Sequence, residues 1–175
     1  MGSVRGLRRG ALVGLTVLAA ALAAALAIRW ALEPRGPVLQ IVLLTGEERR
    51  VALSQLRRLP VVSRRGESQN QYGNWRDAGT YTGVLLRDLL GAVAYEEVEV
   101  AAADGYRVTI DRARVEDEEY PMALAYAFNG VQVPEWSDGF RIVVLPDDGR
   151  VSNEEYEATS AGSYWVKNVV RLTLQ

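Results

Sequence analysis

An uncharged stretch of eighteen residues, Ala11 to Ile28, rich in Ala and Leu, limits this chain more than any other feature. Arg5, Arg8 and Arg9 precede it and Arg29 closes it. Wound as an α-helix, a run of this length just spans a hydrocarbon core. The basic flank belongs on the cytoplasmic side, which places everything after the run outside. A cleaved signal peptide is the rival reading, because Ala25-Leu26-Ala27 has the small-x-small form that signal peptidase reads. The length of the run favours an uncleaved single-pass anchor in the cell membrane with the C-terminal domain outside. Cleavage would leave the same domain secreted or periplasmic. Arg8-Arg9 matches the pair of a twin-arginine signal, but Gly10 and Ala11 follow where hydrophobic residues belong. The organisation read from this is a basic flank over 1–10, an anchor or signal over 11–28, a linker over 29–37 stiffened by Pro34 and Pro37, and one domain over 38–175.

That domain holds about 140 residues, enough to bury one core without disulfides or metal staples. Half the chain (49%) is apolar, which excludes a disordered protein. There is no cysteine and no histidine. Disulfides, a lipoprotein anchor, thiolate metal sites, cysteine nucleophiles and serine–histidine triads are therefore excluded. Beyond Glu33 the chain has 16 basic and 21 acidic residues. A net charge of −5 argues against a nucleic-acid partner.

The hydrophobic pattern is mostly that of strands. Val38 to Leu44 reads as a buried strand ended by Thr45-Gly46, and Arg49 to Leu53 as its hairpin partner. Ser54 offers an N-cap for a short helix through Leu59, stopped by Pro60. Val84 to Leu90 has apolar residues at helical spacing and ends at Gly91, the clearest helix of the domain. Glu97–Ala101 and Tyr106–Ile110 flank Asp104-Gly105 as a hairpin; Met122–Phe128 and Val131–Val133 flank Asn129-Gly130 as a second. Phe140–Leu145 and Tyr164–Leu174 complete a count of about eight strands and two or three short helices. The expected class is α+β, with β-rich mixed sheets and few short helices.

Between Arg64 and Thr80 neither period is present, and the composition is unusual. Arg64, Arg65 and Arg76 bring guanidinium forks, Asn70 an amide, and Tyr72 and Trp75 rings. Read as a loop held by the scaffold, this stretch is the candidate site. The arginines would bind a small anionic or pterin-like ligand, and Asn70, Tyr72 and Trp75 would shape its pocket. Asp147, Asp148, Glu154, Glu155 and Glu157 are numerous enough to gather a hard cation, but their spacing matches no loop of fixed ligand order.

Five motifs occur in a familiar order. Tyr81-Thr82-Gly83-Val84-Leu85-Leu86-Arg87-Asp88-Leu89-Leu90 resembles the aromatic-x-Gly-Val-x-Leu-Arg-Asp-Leu-Leu segment of the sulfite-oxidase-type molybdopterin-binding domain. Ala103-Asp104-Gly105-Tyr106, Leu124-Ala125-Tyr126-Ala127-Phe128-Asn129-Gly130 with Val133-Pro134, Phe140-Arg141-Ile142-Val143-Val144 and Trp165-Val166-Lys167-Asn168-Val169 are similar to its later segments. The resemblance covers residues 38–175 and implies the sulfite-oxidase-like fold, with molybdopterin as the cofactor. Metal-binding members supply a cysteine thiolate upstream of the helix. This chain places Glu67-Ser68-Gln69-Asn70 there, with Ser68 the stand-in facing the metal position. The missing thiolate argues against bound molybdenum.

Three functions follow as expectations. The first is a membrane-anchored, extracytoplasmic, non-catalytic module that binds a ligand or partner. The second is a molybdopterin oxidoreductase with Ser68 as ligand. The third is a structural or assembly subunit whose exposed Trp75, Trp136 and Trp165 dock a membrane protein.

Overall fold

The computed structural model describes residues 36–175; the expected anchor or signal segment lies outside the described residues. β1 (Val38–Val42) alternates as the sequence does, turning Leu39 and Ile41 into the core. A turn closed by Gly46, whose N–H bonds the Leu43 carbonyl at 2.8 Å, returns the chain as β2 (Glu48–Ala52), paired antiparallel to β1. α1 (Leu53–Leu56) is a single turn. Its N-cap is Ala52 rather than Ser54, and the Gln55 side chain, at the third helical position, reaches back to accept from the Ala52 N–H at 2.8 Å.

β3 (Val61–Gln69) and β4 (Trp75–Leu85) form a long hairpin where an irregular connection was expected. Ser63–Arg65 and Arg76–Asp77 are polar and exposed, and Gly66 and Ser68 are buried without being apolar, so no hydrophobic alternation marks these parts. The clearest helix expected from sequence shrinks accordingly. Val84 and Leu85 end β4, and only α2 (Leu86–Leu90) is helical, burying Leu86 and Leu90.

β5 (Glu97–Ala102) and β6 (Arg107–Asp111) form the expected hairpin, with Gly105 at φ 92° and the Asp104 side chain accepting from the Tyr106 N–H. α3 (Arg112–Glu116) is capped by Asp111, whose carboxylate accepts from the Arg114 N–H at 2.8 Å. β7 (Met122–Phe128), β8 (Val131–Gln132) and β9 (Arg141–Val144) follow, and the Val133–Pro134 peptide is cis. The acidic loop holds β10 (Arg150–Val151) and a 3₁₀ turn at Ala161–Tyr164, and β11 (Val169–Leu174) completes the fold.

The strands make two sheets. One runs β2-β1-β11-β5-β6, with β1 and β11 parallel; the other runs β10-β3-β4-β7-β8, with β9 also on β7. Almost every residue of β7 and β9 is buried, so neither strand shows the alternation of a half-solvated sheet. A continuous cluster of buried side chains draws on both sheets and the short helices. Leu124, Ile142, Leu145 and Leu172 are fully buried within it. Trp136 and Trp165, expected to be exposed, lie in this core at 7% and 4% exposure.

Candidate functional site

The seven residues read from sequence do not converge. Arg64, Arg65, Tyr72 and Arg76 are exposed along the β3–β4 hairpin. Arg64 is committed to Asp147 at 2.8 Å and to the Leu145 carbonyl at 3.2 Å. Asn70 builds the tip: its side-chain oxygen accepts from the N–H groups of Tyr72 and Asn74, an arrangement that organises a turn. Trp75 carries the Arg150 guanidinium over its ring at 4.1 Å. Ser68 is the exception, only 1% exposed and directed inward. It lies beneath the turn carrying Gly162, where an added Cβ would stand 3.4 Å from its hydroxyl oxygen.

Further along β4, the sheet has an irregularity that places a charge. Gly66 pairs with Gly79 and Ser68 with Arg76, so Glu67 alone faces both Asp77 and Ala78. This is a β-bulge, a device that re-aims a side chain. Asp77 takes φ 59°, the left-handed region that few residues other than glycine adopt, though Asp and Asn do so least reluctantly. The Tyr81 hydroxyl donates to the Asp77 carbonyl and holds the bulge. The carboxylate so presented accepts from Arg141 Nη2.

Arg141 is the decisive group. It begins β9 with its side chain 3% exposed and its guanidinium over the adjoining rings of Tyr81 and Trp165, at 5.7 and 5.5 Å. Its Nη1 donates to Asp138 at 3.0 Å, while its buried Nε has no partner. Lys167 stands over both acids, 3.2 Å from Asp138 and 3.7 Å from Asp77. Two carboxylates and two cations therefore cancel. Burial alone would raise the Asp77 carboxyl, but the hydrogen bond and charge of Arg141, with Lys167 behind it, hold it below the usual carboxylate range. Burial pushes the Tyr81 phenol upward.

Asp77, Arg141 and Lys167 line a cavity of about 290 Å³, with Asp104, Tyr106 and Trp165 also on its wall. None of the seven residues read from sequence lines this cavity. The signal that could have found it was present: an arginine in the apolar run Phe140 to Leu145 must be buried, and a buried cation needs carboxylates. Among the described residues no three acids gather as a metal site, so the Asp147–Glu157 loop does not form the cation cage its composition allowed. No helix among the described residues is long and apolar enough to cross a membrane.

Comparison with protein families finds no match, and comparison with curated proteins finds none. Among solved structures, the chain is similar to the sulfane dehydrogenase SoxCD from Paracoccus pantotrophus. The TM-score is 0.56 at 18% identity, over 79% of this chain and 38% of that one. The likeness shows the fold: this is an α+β, sulfite-oxidase-like domain, spanning about two fifths of that larger chain.

The resemblance read from sequence implies molybdopterin, and the residues of this cavity do not fit it. No thiolate exists to ligate the metal, and Ser68 is buried and is not among the residues that line the cavity. Both cations that face the cavity are already engaged by the chain's own carboxylates, leaving no free pair for a cofactor phosphate.

Proposed function

We propose that this domain is a non-catalytic binding module on an oxidoreductase-like fold, carried on the outer side of a membrane by the segment Ala11 to Ile28. One observation supports it above others: the Asp77–Asp138–Arg141–Lys167 cluster is neutral and complete within the chain. A redox cofactor has neither a metal ligand nor an unspent cation to hold it there.

The binding site of this reading is the cavity beside Asp77. Lys167, about half exposed, supplies ammonium donors, and the Asp77 carboxylate is a third exposed. Asp104 adds a second carboxylate, and Tyr106 and Trp165 supply ring surface. Small polar ligands are recognised by such a mixture of a few fixed polar groups and aromatic walls. The assembly-subunit reading has less behind it, since two of its three docking tryptophans are buried.

The test is molybdenum and tungsten content of the full-length chain purified from its native host, in cells that make the cofactor. We expect far less than one metal per chain. Stoichiometric metal, lost on S68A, would replace this reading with the oxidoreductase one. Membrane display is checked separately: protease added outside intact cells stripped of their wall should digest the domain, while the N-terminal segment stays in the membrane fraction.

A further inference from the structure

The cavity has an electrostatic preference that its two cations alone would not suggest. Arg141 and Lys167 are the basic groups on its wall, and side by side they form the sort of pair that collects an oxyanion. The position such an anion would take is held by the Asp77 carboxylate, which touches Arg141 Nη2 and lies 3.7 Å from Lys167 Nζ. Asp138 is the second carboxylate on both cations, at 3.0 and 3.2 Å. Asp77 reaches its place only through a bulge and a left-handed φ, a strained backbone arrangement that persists where the surroundings enforce it. With Asp104 also on the wall, the residues lining the cavity carry as many negative as positive charges.

We propose that Asp77 is a resident counter-ion, a part of the chain that takes the place of an anionic ligand beside Arg141 and Lys167 and makes the cavity reject phosphate- and sulfate-like anions. Its ligands are accordingly neutral or cationic where they meet Asp77. This rests on the binding-module reading and names its specificity determinant. It also turns round the expectation from sequence of an anionic ligand.

The test is titration of the full-length chain, in detergent, with inorganic phosphate, followed by calorimetry and by the fluorescence of the cavity-lining Trp165. The wild type should show no saturable binding at millimolar phosphate. Asp77→Asn keeps the shape of the side chain and suits the left-handed backbone, while removing the charge that competes with the anion. It should bind phosphate at least about tenfold more tightly than the wild type, since one unit charge within a few ångströms is worth that much even when partly screened. Lys167→Met placed on Asp77→Asn should abolish the gain. If Asp77→Asn loses its native circular dichroism, Asp138→Asn removes charge from the same cluster and should shift affinity in the same direction. Saturable phosphate binding by the wild type, no gain in the folded variant, or a gain that survives Lys167→Met would each overturn the proposal. Stoichiometric molybdenum would instead remove the non-catalytic reading beneath it, so the two failures are distinguishable.

Discussion

Tyr81 reaches four residues back along its own strand and donates a 2.6 Å hydrogen bond to the carbonyl oxygen of Asp77. That bond spans the bulge that turns Asp77 toward Arg141, and the Tyr81 ring meets Trp165 edge-on at 5.3 Å on the same side. Tyr81→Phe keeps the ring and removes only the donor. We expect it to cost about 1–2 kcal/mol, the penalty for leaving a part-buried carbonyl without its partner, measured as a shift in the urea midpoint.

Acid should weaken the domain through Asp77. Its carboxyl is held below its ordinary 3.8 in the folded chain, so on acidification the unfolded chain takes up this proton first. The contribution is complete at neutral pH and is lost as pH falls through 3.8 toward the folded value. Asp77→Asn has no such group and should show a flatter loss of stability between about pH 6 and pH 3 in urea titrations.

Alkali should act through Tyr156, whose phenol burial pushes from 10.0 to about 12. A group raised in the folded state contributes stability that is full below pH 10 and drains away as pH rises toward about 12. Tyr156→Phe should show a smaller fall of melting temperature across that window. The substitution strands nothing, because the Tyr156 hydroxyl is buried without a partner.

Gly83 cannot carry a side chain. A Cβ there would lie 2.2 Å from the Leu124 carbonyl oxygen and 2.6 Å from Ala125 Cα, both main-chain atoms of the neighbouring strand. Gly83→Ala should destabilise by about 3 kcal/mol or more, or abolish folding, as read by denaturant unfolding.

A cysteine placed at position 68 should be out of reach of solvent. Ser68 is 1% exposed, so the thiol of Ser68→Cys should react with a disulfide reagent at least about tenfold more slowly in the native chain than after unfolding. Rapid native-state labelling would mean that the cavity reaches position 68.

How much of this was legible depended on whether a segment had one wet face. β1, β5 and β6 alternate and were found nearly to the residue; Asp104-Gly105 marked its turn by chemistry alone. Val61 and Val62 read as the start of a strand, but the rest of β3 and the start of β4 did not, because their largely polar residues carry no apolar period. That stretch holds the arginines of the expected site, and in the hairpin they lie exposed along its strands. Tertiary pairing also overrode helical spacing at Val84 and Leu85, which belong to β4. The charged cluster was out of reach for a different reason. Asp77, Asp138, Arg141 and Lys167 are scattered along the chain, and only the register of β4 with its bulge brings the first to the others. Sequence could place Arg141 in a buried strand; it could not say which carboxylates would meet it.

The parallel pairing of β1 with β11 bears on how the domain comes to exist at all. Gln40 meets Arg171 across 131 residues, and β11 is the strand that joins β2-β1 to β5-β6. Until β11 has been delivered, the five-stranded sheet is two separate hairpins with no seam between them. A chain built this way stays open while it is being made, because its closing contact is among its most distant in sequence. The sheet is therefore closed by β11, the one strand in it that reaches both hairpins.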